Sequence, residues 1–569
     1  MGLLANVAFR WKRTDWGALF NLYLFFFYFS GISHILLQFS GATIFVGFRQ
    51  AVFMSLLWLI PVILFPRRTL GIAALIGVVL WVFSLISLGY FCIYGQEFSQ
   101  SVMFIIFESN PAESREFIAH YFVWWMIPVM LAHTAVAIWL WKRLRPLQIS
   151  ARAAWISTLA ILVFLFGFPI FKQLVLKKAS LEYAIEKLEN SMEPAVPWQM
   201  VIGYIHYRQQ LANMEALLAQ NSQLPPLKNL HDANAGLPAT LVLVIGESTN
   251  RQRMSLYGYE RKTTPELDKM RDQLFAFRNV VTPRPYTIEA LQDVLTFADQ
   301  EHPNLYLTQP SLMNMMRQAG YKSFWVTNQQ TITKRNTMLT TFSKQTDQQF
   351  YMNNSRAQNS REYDSNVFAP FKEVLADPAP RKFIVVHLLG THMKYEFRYP
   401  REYDQFRDRT GVPAVLDDQQ AEVYNQYDNA VLYNDYVVSS LIKMLDGKQT
   451  NSFLVYFSDH GEDVYDAPSH SNLGRNEGKP TLPMYTIPFI FWASEQWKSG
   501  HETNFASALD RPYGNSHFIY TWADLAGLSF DGFDASKSLV SSEFKEYPLL
   551  IGDPWNADSL SVLQLHQHD

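Results

Sequence analysis

The tetrad Ser458-Asp459-His460-Gly461 follows directly on the apolar run Phe453-Leu454-Val455-Tyr456-Phe457, and Leu241-Val242-Leu243-Val244-Ile245 runs into Gly246-Glu247-Ser248. Each run reads as a buried strand that ends on residues able to bind a metal. In a parallel α/β sheet the carboxyl ends of the strands gather in one crevice, where ligands bind. Glu247, Asp459 and His460 could therefore meet around one cation. Carboxylate oxygen beside imidazole nitrogen suits zinc or manganese. The set points to metal-assisted chemistry on a phosphate or sulfate ester.

A catalytic zinc keeps three protein ligands and leaves a fourth position for the reacting group. The candidate for that position is Thr287, in the segment Pro285-Tyr286-Thr287-Ile288-Glu289, at the start of a helix expected over Thr287 to Phe297. A helix N-terminus favours a phosphate through its unpaired N–H groups and dipole, and an activated hydroxyl there is placed for attack. A threonine at that point also serves as a plain helix cap, and the local sequence leaves both readings open. His392 and His470 stand in polar loops, where they could bind a transferred phosphate, protonate a leaving group or hold a second cation. His387 lies inside an apolar run and reads as structural or as a support for a ligand. Arg284 and Lys334 are lone charges that could neutralise phosphate oxygens.

These residues need a scaffold. From Leu237 onward apolar runs alternate with helical patterns, the signature of an α/β domain with a largely parallel sheet. The clearest strands are Leu241 to Ile245, Ser323 to Val326, Phe383 to Val386, Phe453 to Phe457 and Ile487 to Trp492. The first four lead into Glu247, Asn328, His387 with His392, and Asp459 with His460.

The remainder of the 569-residue chain is of a different kind. Only 17% of residues are charged, against the usual ~25%, and the deficit lies in the first 175 or so. Five stretches there approach the ~20 apolar residues a bilayer requires: Ala18 to Leu37, Phe48 to Phe65, Leu70 to Tyr94, Phe117 to Trp141 and Ala153 to Phe171. Arg10, Lys12, Arg13, Arg67, Arg68, Lys142, Arg143, Arg145 and Arg152 fall on one side of these spans, and the alternate loops carry only Arg49 and Arg115. That bias predicts a cytoplasmic N-terminus, and five spans then put the C-terminal domain outside. The polar loop after the third span holds Glu113 and the apolar run Val102 to Phe107, suited to lie in the interface. A helical bridge occupies 176–236, with Leu181, Ala184, Ile185 and Leu188 at helical spacing. The expected organisation is thus a five-span α-helical transmembrane domain (1–175), the bridge, and an α/β domain (237–569). The net charge of -3 gives no reason to expect a nucleic-acid partner, and the single cysteine, Cys92, excludes a disulfide framework within the chain.

With its spans followed by Val244-Ile245-Gly246-Glu247-Ser248, Tyr257-Gly258-Tyr259 and Ser458-Asp459-His460-Gly461-Glu462, the chain resembles the membrane phosphoethanolamine transferases of Gram-negative bacteria. Their catalytic domain has the alkaline-phosphatase/sulfatase fold. Pro285 to Glu289 and Gly390-Thr391-His392 look closest to the branch that modifies the lipopolysaccharide core. The resemblance implies an inner-membrane protein with a periplasmic catalytic domain. It implies a zinc site of Glu247, Thr287, Asp459 and His460, with Thr287 taking phosphoethanolamine from the membrane lipid phosphatidylethanolamine. A lipopolysaccharide acceptor, at a core heptose or its phosphate, then receives the group. His392 and His470 match histidines that contact the transferred group or an added zinc, Glu113 a loop carboxylate that helps to hold the headgroup, and Asn328 a polar residue near the phosphate. Many members that modify lipid A carry disulfides in this domain, one of them beside the nucleophile, where Pro283 stands here.

Three other readings compete. A phosphoglycerol transferase building a surface glycan or polymer shares the fold, spans and threonine. A sulfatase of this fold uses a Cys/Ser-x-Pro-x-Arg motif, whereas Thr282 precedes Pro283-Arg284. A receptor that kept the fold and lost catalysis would be expected to have shed some of the ligands.

Overall fold

The computed structural model describes residues 15–39, 45–94, 124–178, 180–192, 194–205, 208–209, 212, 226–329, 337–353, 362–501, 505–555 and 559–565. The chain divides into two compact units, parted between Gln210 and Leu211.

In the first unit, four helices among the described residues are long and apolar enough to cross a membrane: Trp16–Leu36, Gly47–Leu64, Pro66–Cys92 and Ala151–Leu176. A shorter apolar helix, Met126–Lys142, covers the described part of the fourth expected span. Side chains such as Phe25, Phe26, Phe29, Val62 and Leu80 pack inward, while Leu75, Trp155 and Leu159 face outward. Some polar groups inside find partners, as apolar surroundings favour. The His133 ring nitrogens lie 2.9 Å from Tyr28 Oη and 2.8 Å from Ser84 Oγ. The segment around Pro197, expected as part of a bridge, packs on these helices. Ser30 Oγ accepts from the Val196 N–H, Ser87 Oγ donates to Gln199, and Trp198 stacks on Trp58.

The second unit is built on a seven-stranded sheet. Its strands are β1 (Ala239–Gly246), β2 (Leu274–Phe277), β3 (Lys322–Thr327), β4 (Gln348–Tyr351), β5 (Arg381–His387), β6 (Ser452–Ser458) and β7 (Phe489–Ala493). Their spatial order is β2-β7-β6-β1-β5-β3-β4. The run β6-β1-β5-β3-β4 is parallel, and β7 alone runs against both neighbours. Side chains alternate across a strand, and both faces of β1 are covered. Leu241, Leu243 and Ile245 enter one core, Val242 and Val244 the other. A strand buried on both faces needs the unbroken apolar run seen in the sequence.

Two helices complete the frame of the site. α1 (Thr287–Val294) begins at the candidate nucleophile. α2 (Asp418–Asp446) starts with a capping box of Asp417 and Gln420 and packs against the second face of the sheet. Tyr427 on α2 accepts from the Asn250 N–H at 2.8 Å and donates to the Ser248 carbonyl at 2.7 Å. That grip holds the turn after β1, where Ser248 has φ +59°, a conformation uncommon for a residue with a Cβ.

Candidate active site

β1 and β6 are paired side by side, with Gly246 opposite Ser458. Their next residues therefore leave the sheet at the same level. Glu247, Asp459 and His460 are fully buried there, and one ligand atom of each lies within 4.8 Å of the others. His460 Nε2 is 3.1 Å from Glu247 Oε1 and 3.4 Å from Asp459 Oδ2. Backbone donors orient Asp459, whose Oδ1 accepts from the N–H groups of Ser248 and His460 at 3.1 and 2.7 Å. His460 Nδ1 is 2.8 Å from the Gly461 carbonyl, which can only accept. The proton is thus assigned to Nδ1, and the Nε2 lone pair faces the carboxylates, the usual arrangement of a metal-binding histidine. Gly461 has no substitute here, because a Cβ would overlap the Pro483 carbonyl.

Thr287 joins this cluster from α1. Its Oγ1 donates to Glu247 Oε2 at 2.9 Å and lies 3.4 Å from His460 Nε2. It is the first helical residue, and Tyr286 occupies the cap position without a side-chain capping bond. The hydroxyl is therefore turned to the cluster and not to the helix end.

The donor set fits a divalent cation. Two carboxylates and an imidazole lone pair converge in a buried space, and Asp459 Oδ2 has no hydrogen-bond partner. Burial pushes the Glu247 carboxyl up, but the charge of His460 when its ring is protonated, with His392 and Arg475, outweighs it and holds the group well below the ordinary carboxylate range. Asp459 moves the other way, raised by burial and by the charge of Glu247. A bound cation reverses that second shift.

The other expected residues are distributed unevenly. His392 sits in the turn after β5, which lies along the backbone of Glu247: Thr391 N–H donates to the Glu247 carbonyl at 3.0 Å. Gly390, at φ +54°, approaches so closely that a Cβ would lie 2.6 Å from that carbonyl oxygen. His387, the last residue of β5, is fully buried, and burial takes its ring down to about 4. It is neutral at physiological pH. His470 has its Nδ1 2.7 Å from the Tyr465 carbonyl. Asn328 is buried and gives its amide N–H groups to Asp364 and the Glu362 carbonyl. Asp364 in turn accepts from Leu389 and Gly390, so Asn328 supports the turn that bears His392. Arg284 is committed to Glu477 and Asp553. Glu113 and Lys334 lie outside the described residues, as does the run Val102 to Phe107.

Two residues reach the cluster that sequence reasoning missed. Gln329 Nε2 donates to Glu247 Oε2 at 3.1 Å. It is one residue beyond Asn328, and alternation at the end of β3 decides which of the two faces the crevice. Arg475 Nη1 donates to His460 Nε2 at 2.6 Å and lies 4.0 Å from Glu247 Oε1. Its signal was a charged stretch, Gly474-Arg475-Asn476-Glu477, shortly after the tetrad.

Comparisons with known proteins show what the chain resembles. The Sulfatase family model matches residues 239–528. The phosphoethanolamine transferase EptC of Escherichia coli is 53% identical over 560 residues, covering 98% of this chain and 96% of the relative. The phosphoethanolamine transferase CptA of Salmonella typhimurium is 54% identical over 562 residues, with the same coverage. The chain belongs to the phosphoethanolamine transferase family. Among solved structures, the C-terminal periplasmic domain of E. coli EptC in complex with zinc is 59% identical, with a TM-score of 0.59, and covers 60% of this chain and 96% of that one. The integral membrane transferase EptA of Neisseria meningitidis is 18% identical, with a TM-score of 0.61 over 92% of this chain and 97% of that one, and shares the two-part fold. The family membership accounts for the apolar helices and the sulfatase-like domain occurring in one chain.

One buried acid near the site makes a pH test. Burial pushes Asp293, near the end of α1, up to about 7 against the opposing charge of Arg284. A helix C-terminus also disfavours an anion. The folded protein thus holds a proton that the unfolded chain, with a pKa of about 3.9, releases. The stability linked to this group is fully present below pH ~4 and is lost as pH rises through about 7. Asp293→Asn should gain on the parent by about 2–3 kcal/mol more at pH 8 than at pH 5, read from unfolding midpoints at the two pH values. An equal gain at both would mean that Asp293 ionises normally.

Proposed function

We propose that the chain transfers phosphoethanolamine from phosphatidylethanolamine to lipopolysaccharide, at a core heptose or its phosphate, through a covalent intermediate on Thr287. The observation that carries this reading is the threonine hydroxyl aimed at Glu247 inside the metal-type cluster, at a helix N-terminus. Glu247, Thr287, Asp459 and His460 would hold a zinc ion, which when bound supplies positive charge that lowers the proton affinity of the hydroxyl. In the first step the Thr287 Oγ–P bond forms as the P–O bond to diacylglycerol breaks. The hydroxyl proton, directed at Glu247 Oε2, is released to water, and diacylglycerol leaves with a proton from His392. In the second step the acceptor oxygen attacks phosphorus, the Thr287 Oγ–P bond breaks and Thr287 regains a proton from water, and His392 takes the acceptor's proton. His470, Asn328 and Glu113 belong to this reading as substrate-binding residues, Asn328 through its hold on the His392 turn. The relatives support the group transferred, and the charge bias of the loops supports an inner-membrane chain with a cytoplasmic N-terminus and a periplasmic catalytic unit.

The test is mass spectrometry of the zinc-loaded full chain after incubation with phosphatidylethanolamine. Phosphoethanolamine on Thr287 with release of diacylglycerol is the expected result. An adduct formed from phosphatidylglycerol instead would make the chain a phosphoglycerol transferase.

A further inference from the structure

We propose that Arg475 binds the transferred phosphate: its guanidinium takes non-bridging oxygens of the phosphorus carried by Thr287. This rests on the reading above and adds to it a residue and a role. Arg475 is a cation in contact with the cluster, touching His460 and lying beside Glu247 and Glu462. The contact with His460 fixes where the guanidinium points. Nε2 has a single lone pair, and Nη1 is its donor at 2.6 Å. Once that lone pair is given to a cation, Nη1 needs another acceptor. A phosphate oxygen on Thr287, whose Oγ1 is 3.4 Å from the same Nε2, is the acceptor that the reaction brings. Nη2 makes no hydrogen bond among the described residues, and the side chain is 16% exposed, which leaves a second N–H for a phosphate oxygen. Two parallel N–H groups on one planar fork suit a phosphate.

The surroundings keep that fork in place. Arg475 directly follows Leu473–Gly474, a short strand paired with Asp463–Val464, which itself continues from the metal-binding tetrad. Two residues later, Glu477 is held by the buried Arg284, which lies three residues before Thr287. The Arg284–Glu477 pair thus ties the segment bearing the guanidinium to the segment bearing the nucleophile. The Tyr286 ring lies 5.9 Å from the guanidinium carbon, and Nε is 3.5 Å from Glu462 Oε2. This arrangement gives the arginine a fixed direction, which a simple counter-charge for buried carboxylates does not need.

The experiment uses the full chain in detergent and compares the parent with Arg475→Ala and Arg475→Lys. Three quantities are read: zinc retained against a competing chelator, inhibition of adduct formation by inorganic phosphate, and kcat and KM for phosphatidylethanolamine. Arg475→Ala should keep its zinc, weaken inhibition by phosphate about tenfold, and lower kcat about 100-fold with little change in KM. Arg475→Lys should recover part of both losses, since it returns the charge without the fork. Unchanged phosphate inhibition in Arg475→Ala would overturn the proposal. So would loss of zinc with full activity restored by added zinc, which would make Arg475 a support for the metal site. If the parent itself forms no adduct from phosphatidylethanolamine, the donor assignment fails. Direct titration of the zinc-loaded proteins with inorganic phosphate then decides on Arg475 alone.

Discussion

Thr287→Ala should form no covalent phosphoethanolamine adduct, and its transfer rate should fall by a factor on the order of 10⁴ or more, the scale seen when a nucleophile is removed. The reason lies in the position of one oxygen. Thr287 Oγ1 is the only atom of α1 shown in contact with the cluster among the described residues, at 2.9 Å from Glu247 and 3.4 Å from His460. Because Tyr286 is the cap residue and Thr287 is not, the substitution removes no capping bond, and the fold should be undisturbed. Glu247, Asp459 and His460 remain together, so the variant should still bind zinc, with lower affinity. Thr287→Ser keeps the hydroxyl and should still form the adduct, more slowly because serine lacks the methyl group that restricts χ1. Mass spectrometry of the three proteins after incubation with phosphatidylethanolamine, with zinc content measured alongside, checks each point. Full transfer by Thr287→Ala, or an adduct on another residue, would refute the mechanism.

The parts of this site that were legible beforehand are those fixed by the strands. Unbroken apolar runs such as Leu241 to Ile245 and Phe453 to Phe457 announce strands buried on both faces, and a parallel sheet then places their carboxyl ends in one crevice. The four runs followed by polar residues prove to be four adjacent strands, β6-β1-β5-β3, which is why Glu247, Asp459 and the His392 turn meet. The strands β2 and β4 were not foreseen, since Leu274–Phe277 and Gln348–Tyr351 are short and lie partly exposed at the sheet edges. The reversed direction of β7 was equally hidden, because an apolar run carries no sign of its pairing. Side chains beyond strand ends were harder still. Whether Asn328 or Gln329 faces Glu247 depends on a single step of alternation. Arg475 reaches the cluster only because Leu473–Gly474 pairs back on Asp463–Val464, a hairpin too short to leave a pattern. In the membrane unit, span length and composition are read directly from sequence. The packing of Val196 to Gln199 onto those helices depends on specific bonds to Ser30 and Ser87, which composition does not encode.

Asp428→Asn should destabilise the catalytic unit by about 3–5 kcal/mol, the usual consequence of breaking a buried ion pair from one side. Asp428 is fully buried on α2, and one carboxylate serves two buried arginines. Its Oδ1 accepts from Arg253 Nε and Nη2 at 2.9 and 2.7 Å, and its Oδ2 from Arg261 Nη1 at 2.7 Å and Tyr259 Oη at 3.1 Å. Burial works against the charge of Arg253, but Asp428 and Asp466 outweigh it and hold the guanidinium well above its ordinary value. The arginine also lies 3.5 Å from the centre of the Tyr424 ring, so it has no route to solvent when its partner is neutralised. An asparagine amide nitrogen in place of either oxygen would face donors on every side. For a unit of this size the thermal unfolding midpoint of the full chain in detergent should drop by about 5 °C or more. The neighbouring Tyr427 holds the Ser248 turn through its own bonds to Asn250 and Ser248, so catalysis should weaken only as the variant approaches its own unfolding range. Asp418→Asn is the informative control. That carboxylate is 97% exposed and pairs with the half-exposed Arg409 at the start of the same helix, and surface pairs contribute about 0–1 kcal/mol. If the two variants moved the midpoint equally, burial of the Asp428 network would not be what stabilises this face of the sheet.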